Sequence, residues 1–262
     1  MTDETLLTHL LEARQRREPC VLATVAAIKG SVPREPGAKA LIFSDGRIHG
    51  TIGGGKFESL VITDAQSLLQ TQKTPLLKTY PLHEKSPDSF GAICGGEVTV
   101  LLEPQLPREA LIIFGAGHCG EALAKLARAC GWHITVIDDR PDLLARCDAH
   151  QIHQGPAPDF INAHPWQPDE ALVLVSRNYQ LDRDALAAAL KNPHFNAGYL
   201  GMIGSRKKVT SVFEELQSQG IPKTAFEKVH APIGLDIQAD TPTEIAISIL
   251  AQIMSVLRKR EA

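Results

Sequence analysis

Apolar and polar positions follow two regimes along this chain. Up to residue 105 the segments are short and amphipathic. Leu6, Leu7, Leu10 and Leu11 recur at helical spacing and Pro19 forbids continuation, which predicts an opening helix within 5–17. Strands are predicted over 20–28, 39–43 and 47–51, the last two joined at Ser44-Asp-Gly46 in a hairpin pattern. The loop between the first two carries Pro33 and Pro36, which rule out a helix or a central strand there. After Gly53, Gly54 and Gly55 a helix is predicted through Leu60, Ile62 and Ala65 toward Leu69, followed by strands over 76–81 and 97–103.

From Ala110 onward the strands become continuous apolar runs, the mark of strands buried on both faces of a parallel sheet. Ala110-Leu-Ile-Ile-Phe114 is closed by Gly115-Ala-Gly-His-Cys-Gly120, and Ala122, Leu123, Leu126, Ala127 and Cys130 then recur at helical spacing up to Gly131. Ile134 to Ile137 and Leu172 to Val175 read as further strands, and 183–190 as a helix with Asp182 as its N-cap. A strand over 198–203 enters Gly204-Ser-Arg-Lys-Lys208 and a helix that Gly220 ends. Thr241, Pro242 and Glu244 form a capping box, behind which Ile245, Ile249, Ile253 and Leu257 share one face. The pattern predicts an α/β protein: a Rossmann-type parallel-sheet domain over 108–262 behind a smaller mixed α/β domain over 1–105, with Pro104 and Pro107 at the boundary.

Composition narrows the function classes. The 262 residues are 44% hydrophobic and 22% charged with a net charge of −3, an ordinary globular balance without the basic footprint of a nucleic-acid binder. No run approaches the ~20 apolar residues of a membrane span. The first residues, Met1-Thr-Asp-Glu4, lack the basic and apolar regions of a signal peptide, so no membrane partner and a cytoplasmic location are expected. Five scattered cysteines without a C-x-x-C pair indicate neither a disulfide framework nor a zinc site. Cys20, Cys130 and Cys147 are expected to pack as small hydrophobes. Cys94 and Cys119 stand in glycine-rich turns, where a thiol could face a ligand.

The candidate chemistry lies in glycine turns. Gly115, Gly117 and Gly120 match G-x-G-x-x-G with a strand before, a helix after and acidic residues roughly twenty positions on. The motif places a pyrophosphate at the helix N-terminus, a ribose hydroxyl on Asp138 or Asp139, and a 2′-phosphate on Arg140; the same glycines would also serve packing alone. Gly53 to Gly55 read either as a second anion cradle, with Arg34 and Lys56 adding charge, or as a flexible turn. Ser205, Arg206, Lys207 and Lys208 at a helix start read either as an anion site or as a solvated basic turn. An NAD(P)-dependent oxidoreductase would need a proton donor near the hydride acceptor; His118, Tyr179 and Lys207 are isolated candidates, and no catalytic constellation emerges. A nucleotide-sensing interaction module is the remaining alternative.

Several motifs together resemble the xanthine dehydrogenase accessory protein family, the XdhC/CoxI family: Gly30-Ser-Val-Pro-Arg34, Gly37-Ala38, Asp45-Gly46, Gly50-Thr-Ile-Gly-Gly-Gly55 with Glu58, Cys94-Gly95-Gly96, the Gly115 to Gly120 loop with His118 and Cys119, Ile203-Gly-Ser-Arg206-Lys207, and Pro232-Ile-Gly-Leu235 ahead of Thr241-Pro-x-Glu-Ile-Ala246. The resemblance implies a chaperone, more accessory protein than enzyme. It would bind the molybdenum cofactor, as molybdopterin or its dinucleotide form, and deliver it to an apo molybdenum hydroxylase of the xanthine dehydrogenase type, often alongside a cysteine desulfurase. It also implies that Arg34, Gly53 to Gly55, Glu58 and Cys94 to Gly96 line the cofactor site, with Cys94 a soft ligand suited to a sulfur-rich metal. A homodimer is expected as the commonest assembly. Two features depart from the family. Ala92-Ile-Cys94 stands where a Cys-Cys pair is usual, and Ser176-Arg-Asn-Tyr179 where histidines are usual, so no role of those histidines carries over.

Overall fold

The computed structural model describes residues 3–32, 34–71, 74–82 and 96–258. They form two compact units, Met1–Pro107 and Arg108–Ala262.

The first unit is built on β1 (Cys20–Lys29), β2 (Lys39–Phe43), β3 (Ile48–Gly50), β4 (Leu76–Pro81) and β5 (Glu97–Gln105), in antiparallel order β3-β2-β1-β5-β4. Alternation in the strands serves two faces. Val21, Ala23 and Val25 with Ala40 and Ile42 pack against α2 (Gly55–Thr71), while Cys20, Leu41 and Phe43 meet α1 (Asp3–Gln15) through Leu6 and Ala13. The helix α2 turns Phe57, Val61, Ala65 and Leu68 inward. Leu60 is exposed, because the four buried positions share one stripe of the helix and Leu60 lies off it.

Register decides where this unit's loops emerge. Lys29 pairs with Glu97, Ala40 with Gly50, and Pro81 with Glu97. The segments after β1, before β2, after β3 and on either side of the β4–β5 connection therefore share one end of the sheet. Among the described residues that end carries Gly30, Gly37, Gly53 to Gly55 and Gly96.

The second unit holds six parallel strands: β6 (Ala110–Phe114), β7 (His133–Asp138), β8 (Gln151–Gln154), β9 (Glu170–Leu174), β10 (Tyr199–Met202) and β11 (Val229–His230), in spatial order β11-β10-β9-β6-β7-β8. This is the 3-2-1-4-5-6 order of a doubly wound Rossmann sheet. The helices α3 (His118–Ala129) and α8 (Pro242–Arg258) cover one face; α5 (Ala157–Ala163), α6 (Tyr179–Lys191) and α7 (Arg206–Ser218) cover the other, and the one-turn α4 (Pro141–Leu144) follows β7. Burial on both faces is why β6 and β9 are apolar at nearly every position.

Three differences from the sequence expectation have physical reasons. Helix α6 begins a turn early, at Tyr179, because the Asn178 side chain accepts from the N–H groups of Gln180 and Leu181; Asp182, the expected cap, lies inside the first turn. The segment α4-β8-α5 carries no strong apolar periodicity, since β8 is an edge strand with largely exposed residues. Cys130 is exposed at the end of α3 rather than packed. The capping box of α8 forms as expected: Glu244 Oε2 accepts from the N–H groups of Asp240 (3.0 Å) and Thr241 (2.9 Å).

Candidate functional site

In the second unit β6 is flanked by β7 on one side and β9 on the other, and the chain reverses direction across the sheet at this point. Such a switch point opens a crevice beyond the strand ends. The glycine loop occupies it. Gly115 runs at φ 115°, and a methyl group there would stand 2.5 Å from the Val175 carbonyl oxygen. A methyl at Gly120 would overlap the Gly115 carbonyl oxygen, so helix and strand pack through this residue. Gly117 differs from both. Its φ of −73° suits any residue, and a methyl there would meet no protein atom. It is the N-cap of α3, and no side chain caps the N–H groups behind it. His118 is exposed beside it, and Cys119 is half-buried, with burial pushing its thiol up, away from the thiolate form.

The acidic residues at the end of β7 are committed. Asp138 is buried and accepts from the N–H of Ala116 (2.8 Å), from the N–H of Arg140 (3.0 Å) and from the Arg140 guanidinium through Nε and Nη2 (2.8 Å each). Burial alone would raise this carboxyl, but the Arg140 side chain and the Ala116 and Arg140 N–H groups outweigh it and hold it well below the ordinary range. Asp138 therefore ties the glycine loop to β7, and Arg140 is folded onto it. Asp139 is exposed and meets Arg177 in a two-pronged pair, 2.5 and 2.8 Å. The Arg177 guanidinium lowers the Asp139 carboxyl.

Arg177 follows β9, so this ion pair crosses over the end of β6. Beside it lies a cavity of about 160 Å³ lined by Phe114, Pro156 and Leu181 together with Asp139, Ser176 and Arg177. Ser176 is fixed by Asp182, a buried carboxylate that accepts its N–H at 3.0 Å and that burial pushes up to about 6. Sequence reasoning gave this wall no role. The available signal was position: in a doubly wound sheet the residues just after each apolar run belong to the crevice. Ser205 and Arg206 lie at the same carboxyl edge but after β10, two strands from β6. Ser205 caps α7, accepting from the Lys208 N–H at 3.4 Å, and the first turn of that helix holds cations but no acidic residue.

In the first unit Arg34, Gly53 to Gly55 and Gly96 stand in segments that emerge at the same end of the sheet. Arg34 is exposed at the rim of a cleft of about 350 Å³ formed with Val32, Glu35, Pro36 and Ala38. Gly53, Gly54 and Gly55 run at φ 148°, 75° and 65°. Glu58, in the first turn of α2, reaches back to accept from Thr51 Oγ1 (2.6 Å) and the Ile52 N–H (3.0 Å), so its carboxylate holds the loop from inside. Gly96 is pressed on the segment after β1: a methyl there would stand 2.5 Å from the Ser31 carbonyl oxygen. Cys94 and Gly95 lie outside the described residues. Among the described residues no three His, Cys, Asp or Glu side chains gather as a metal would need, and no helix is long and apolar enough to cross a membrane.

Comparison with known proteins adds a second line of observation. A family model described as the XdhC Rossmann domain matches residues 111–253, and one described as the XdhC and CoxI family matches residues 13–81. The protein YqeB of Escherichia coli (strain K12) is 33% identical over 96% of this chain, which spans only 46% of that protein's length. A Bacillus subtilis (strain 168) protein described as a probable xanthine dehydrogenase subunit is 26% identical over 98% of each chain. The molybdenum cofactor insertion chaperone PaoD of Escherichia coli (strain K12) is 24% identical, covering 100% of this chain and 91% of PaoD. A crystal structure described as a xanthine dehydrogenase from Bacillus halodurans superposes with a TM-score of 0.52 at 25% identity, covering 99% of this chain and 97% of that one.

Proposed function

Because this chain belongs to the XdhC and CoxI family, we propose that it is an accessory protein of xanthine dehydrogenase-type molybdoenzymes which binds the molybdenum cofactor as cargo and hands it to an apo-hydroxylase. The observation that carries this reading is Gly117. It stands at the uncapped start of a 12-residue helix, and neither its backbone angle nor its packing requires glycine. A residue without a side chain at that place leaves the free N–H groups open to a phosphate. The cargo's phosphate or pyrophosphate is the group such a place would hold.

The first unit supports the same reading with a second cluster of polar backbone and cationic side chains. Arg34 and Lys56 are exposed, and no ion pair engages either among the described residues. Cys94, two residues from Gly96, is the thiol we assign to the metal end of the cargo, a soft donor for a soft centre. The oxidoreductase reading has weaker support: among the described residues no hydrogen bond or ion pair joins His118 or Cys119 of the glycine loop to a second group that would orient it as a proton donor.

The test is retention. The purified chain is incubated with a source of molybdenum cofactor, freed of unbound material, and assayed for molybdenum and pterin. Near-stoichiometric amounts of both are expected. Retained nucleotide without pterin would overturn the carrier reading.

A further inference from the structure

We infer that α1 is the surface through which two copies of this chain associate, as an antiparallel helix pair in which Leu7 packs on Leu11 of the partner subunit and Glu4 meets the partner subunit's Arg14. Frequency alone names a second copy as the expected partner; the residues of α1 add a surface, an orientation and a register. The inference goes beyond the carrier reading and does not depend on what the chain binds.

The sequence of α1 holds two Leu-Leu doublets, and the fold uses half of each. Leu6 and Leu10, with Ala13, pack on Cys20, Leu41 and Phe43 and fasten the helix to the sheet. Leu7 and Leu11 point away and are 58% and 59% exposed, among the most exposed large apolar side chains of the described residues. Single exposed leucines need no explanation. Two at i and i+4 form a stripe, since such positions lie one above the other on a helix, and the packing of this chain does not use it.

The charges give the stripe a direction. At 3.6 residues per turn, Glu4, Leu7, Leu11 and Arg14 fall within an arc of about 80°, and Glu4 and Arg14 are exposed like the leucines between them. Turning a second copy of this helix end for end about a two-fold axis exchanges position 7 with 11 and position 4 with 14, because both pairs have their midpoint at His9. Leucine then lies on leucine and carboxylate on guanidinium, at both ends of the contact. Self-complementarity of this kind is what a two-fold interface requires. A parallel pair would instead set carboxylate on carboxylate and guanidinium on guanidinium. The leucines supply the attraction and the charges the orientation, since exposed ion pairs are weak while like charges exclude the alternative.

Both charges are available for such a contact. Within one copy Glu4 and Arg14 stand about 15 Å apart along the helix at 1.5 Å per residue, too far to pair with each other. Arg14 gives one N–H to the neutral Gln105 Oε1 at 2.7 Å, and no carboxylate pairs with it among the described residues. Its guanidinium keeps further donors for one. Because α1 lies on the face of the sheet opposite α2, the contact leaves α2 and the glycine turn before it uncovered, and each copy keeps its own Gly53 to Gly55 loop.

Sedimentation equilibrium of the full chain over a concentration series tests this. The unaltered chain should show a concentration-dependent equilibrium of monomer and dimer, and Leu11→Gln should weaken the dimer about tenfold. Glu4→Arg and Arg14→Glu each set like charges against one another across the axis and should each weaken it several-fold. A chain carrying both changes should recover most of that loss. Recovery is diagnostic because the two positions never touch within one copy. The altered positions are all exposed, so the urea unfolding midpoint of the variants should stay where it is. An unaltered chain that is monomeric at every concentration overturns the inference. A dimer as tight in Leu11→Gln as in the unaltered chain would use another surface and overturns it too. Charge reversals that accumulate in the double variant instead of cancelling overturn the antiparallel arrangement.

Discussion

At Gly53 to Gly55 the chain runs through three successive residues with φ between 65° and 148°, and methyl groups at Gly54 and Gly55 would meet open space. At Gly115 to Gly120 the reasons for glycine separate: Gly115 answers to backbone angle and packing together, Gly120 to packing, and Gly117 to neither. The loops are also pinned differently. Glu58 holds the first from the helix that follows it, whereas Asp138 holds the second from the neighbouring strand. Two turns that look alike in sequence are thus solved by different physics. A glycine marks a ligand site only after conformation and packing have both been subtracted, and Gly117 is the residue that survives the subtraction.

The largest expected effect that sharpens this contrast is Gly120→Ala. Its methyl would overlap the Gly115 carbonyl, a backbone atom held in turn by the β6 register, so relief requires α3 to shift off the sheet. A loss of about 3 kcal/mol or more is expected, read as a lowered midpoint in urea unfolding of the full chain. An unchanged midpoint would mean that the close helix–strand packing does not constrain this loop.

Next in size is the carboxylate beneath the other wall of the crevice. The Asp182 carboxyl is raised from 3.8 to about 6 by burial. The folded chain therefore binds a proton more readily than the unfolded one, and stability present below pH 4 is lost as pH rises through about 6. Roughly two pH units correspond to about 3 kcal/mol. Asp182→Asn keeps the acceptor for the Ser176 N–H and removes the charge. Its stability relative to the unaltered chain should grow between pH 4.5 and 7.5 by about 2 kcal/mol; parallel pH profiles would show that Asp182 is not charged against burial.

How much of this was legible in the sequence depends on the range of the interaction. The strand, glycine loop and helix from Ala110 to Ala129 were readable because each demand is local: apolar run, small residues at fixed offsets, helical spacing. The Thr241 to Glu244 capping box was readable for the same reason. Asn178 and Asp182 are both able to cap α6, and only the fold decides that the first does so while the second is buried under Ser176. The commitment of Asp138 to Arg140 was hidden although they stand only two positions apart, since a neighbouring arginine can equally turn outward to a phosphate. The Asp139–Arg177 pair joins positions 38 apart in sequence through the return of the chain to β9 beside β6, and no local pattern encodes it. The polar edge strand β8 escaped because its exposed residues carry no burial signal.

The smallest expected change in stability carries the most information about function, and it comes from one residue of each loop measured side by side. Gly54→Ala places a methyl in open space at φ 75°, so its cost is backbone strain alone, about 1–2 kcal/mol. Gly117→Ala places a methyl in open space at φ −73°. No strain arises there, but glycine is a better N-cap than alanine, which offsets the gain from a stiffer unfolded chain, so stability should fall by no more than about 1 kcal/mol. Pyrophosphate affinity should move much further: the added methyl stands before the first turn of α3, where a phosphate would need to approach the N–H groups, and binding should fall at least tenfold in a protein that remains fully folded. A folded Gly117→Ala chain that still holds pyrophosphate as tightly would remove the ligand from the account of this loop, leaving a glycine that neither conformation, packing nor binding demands.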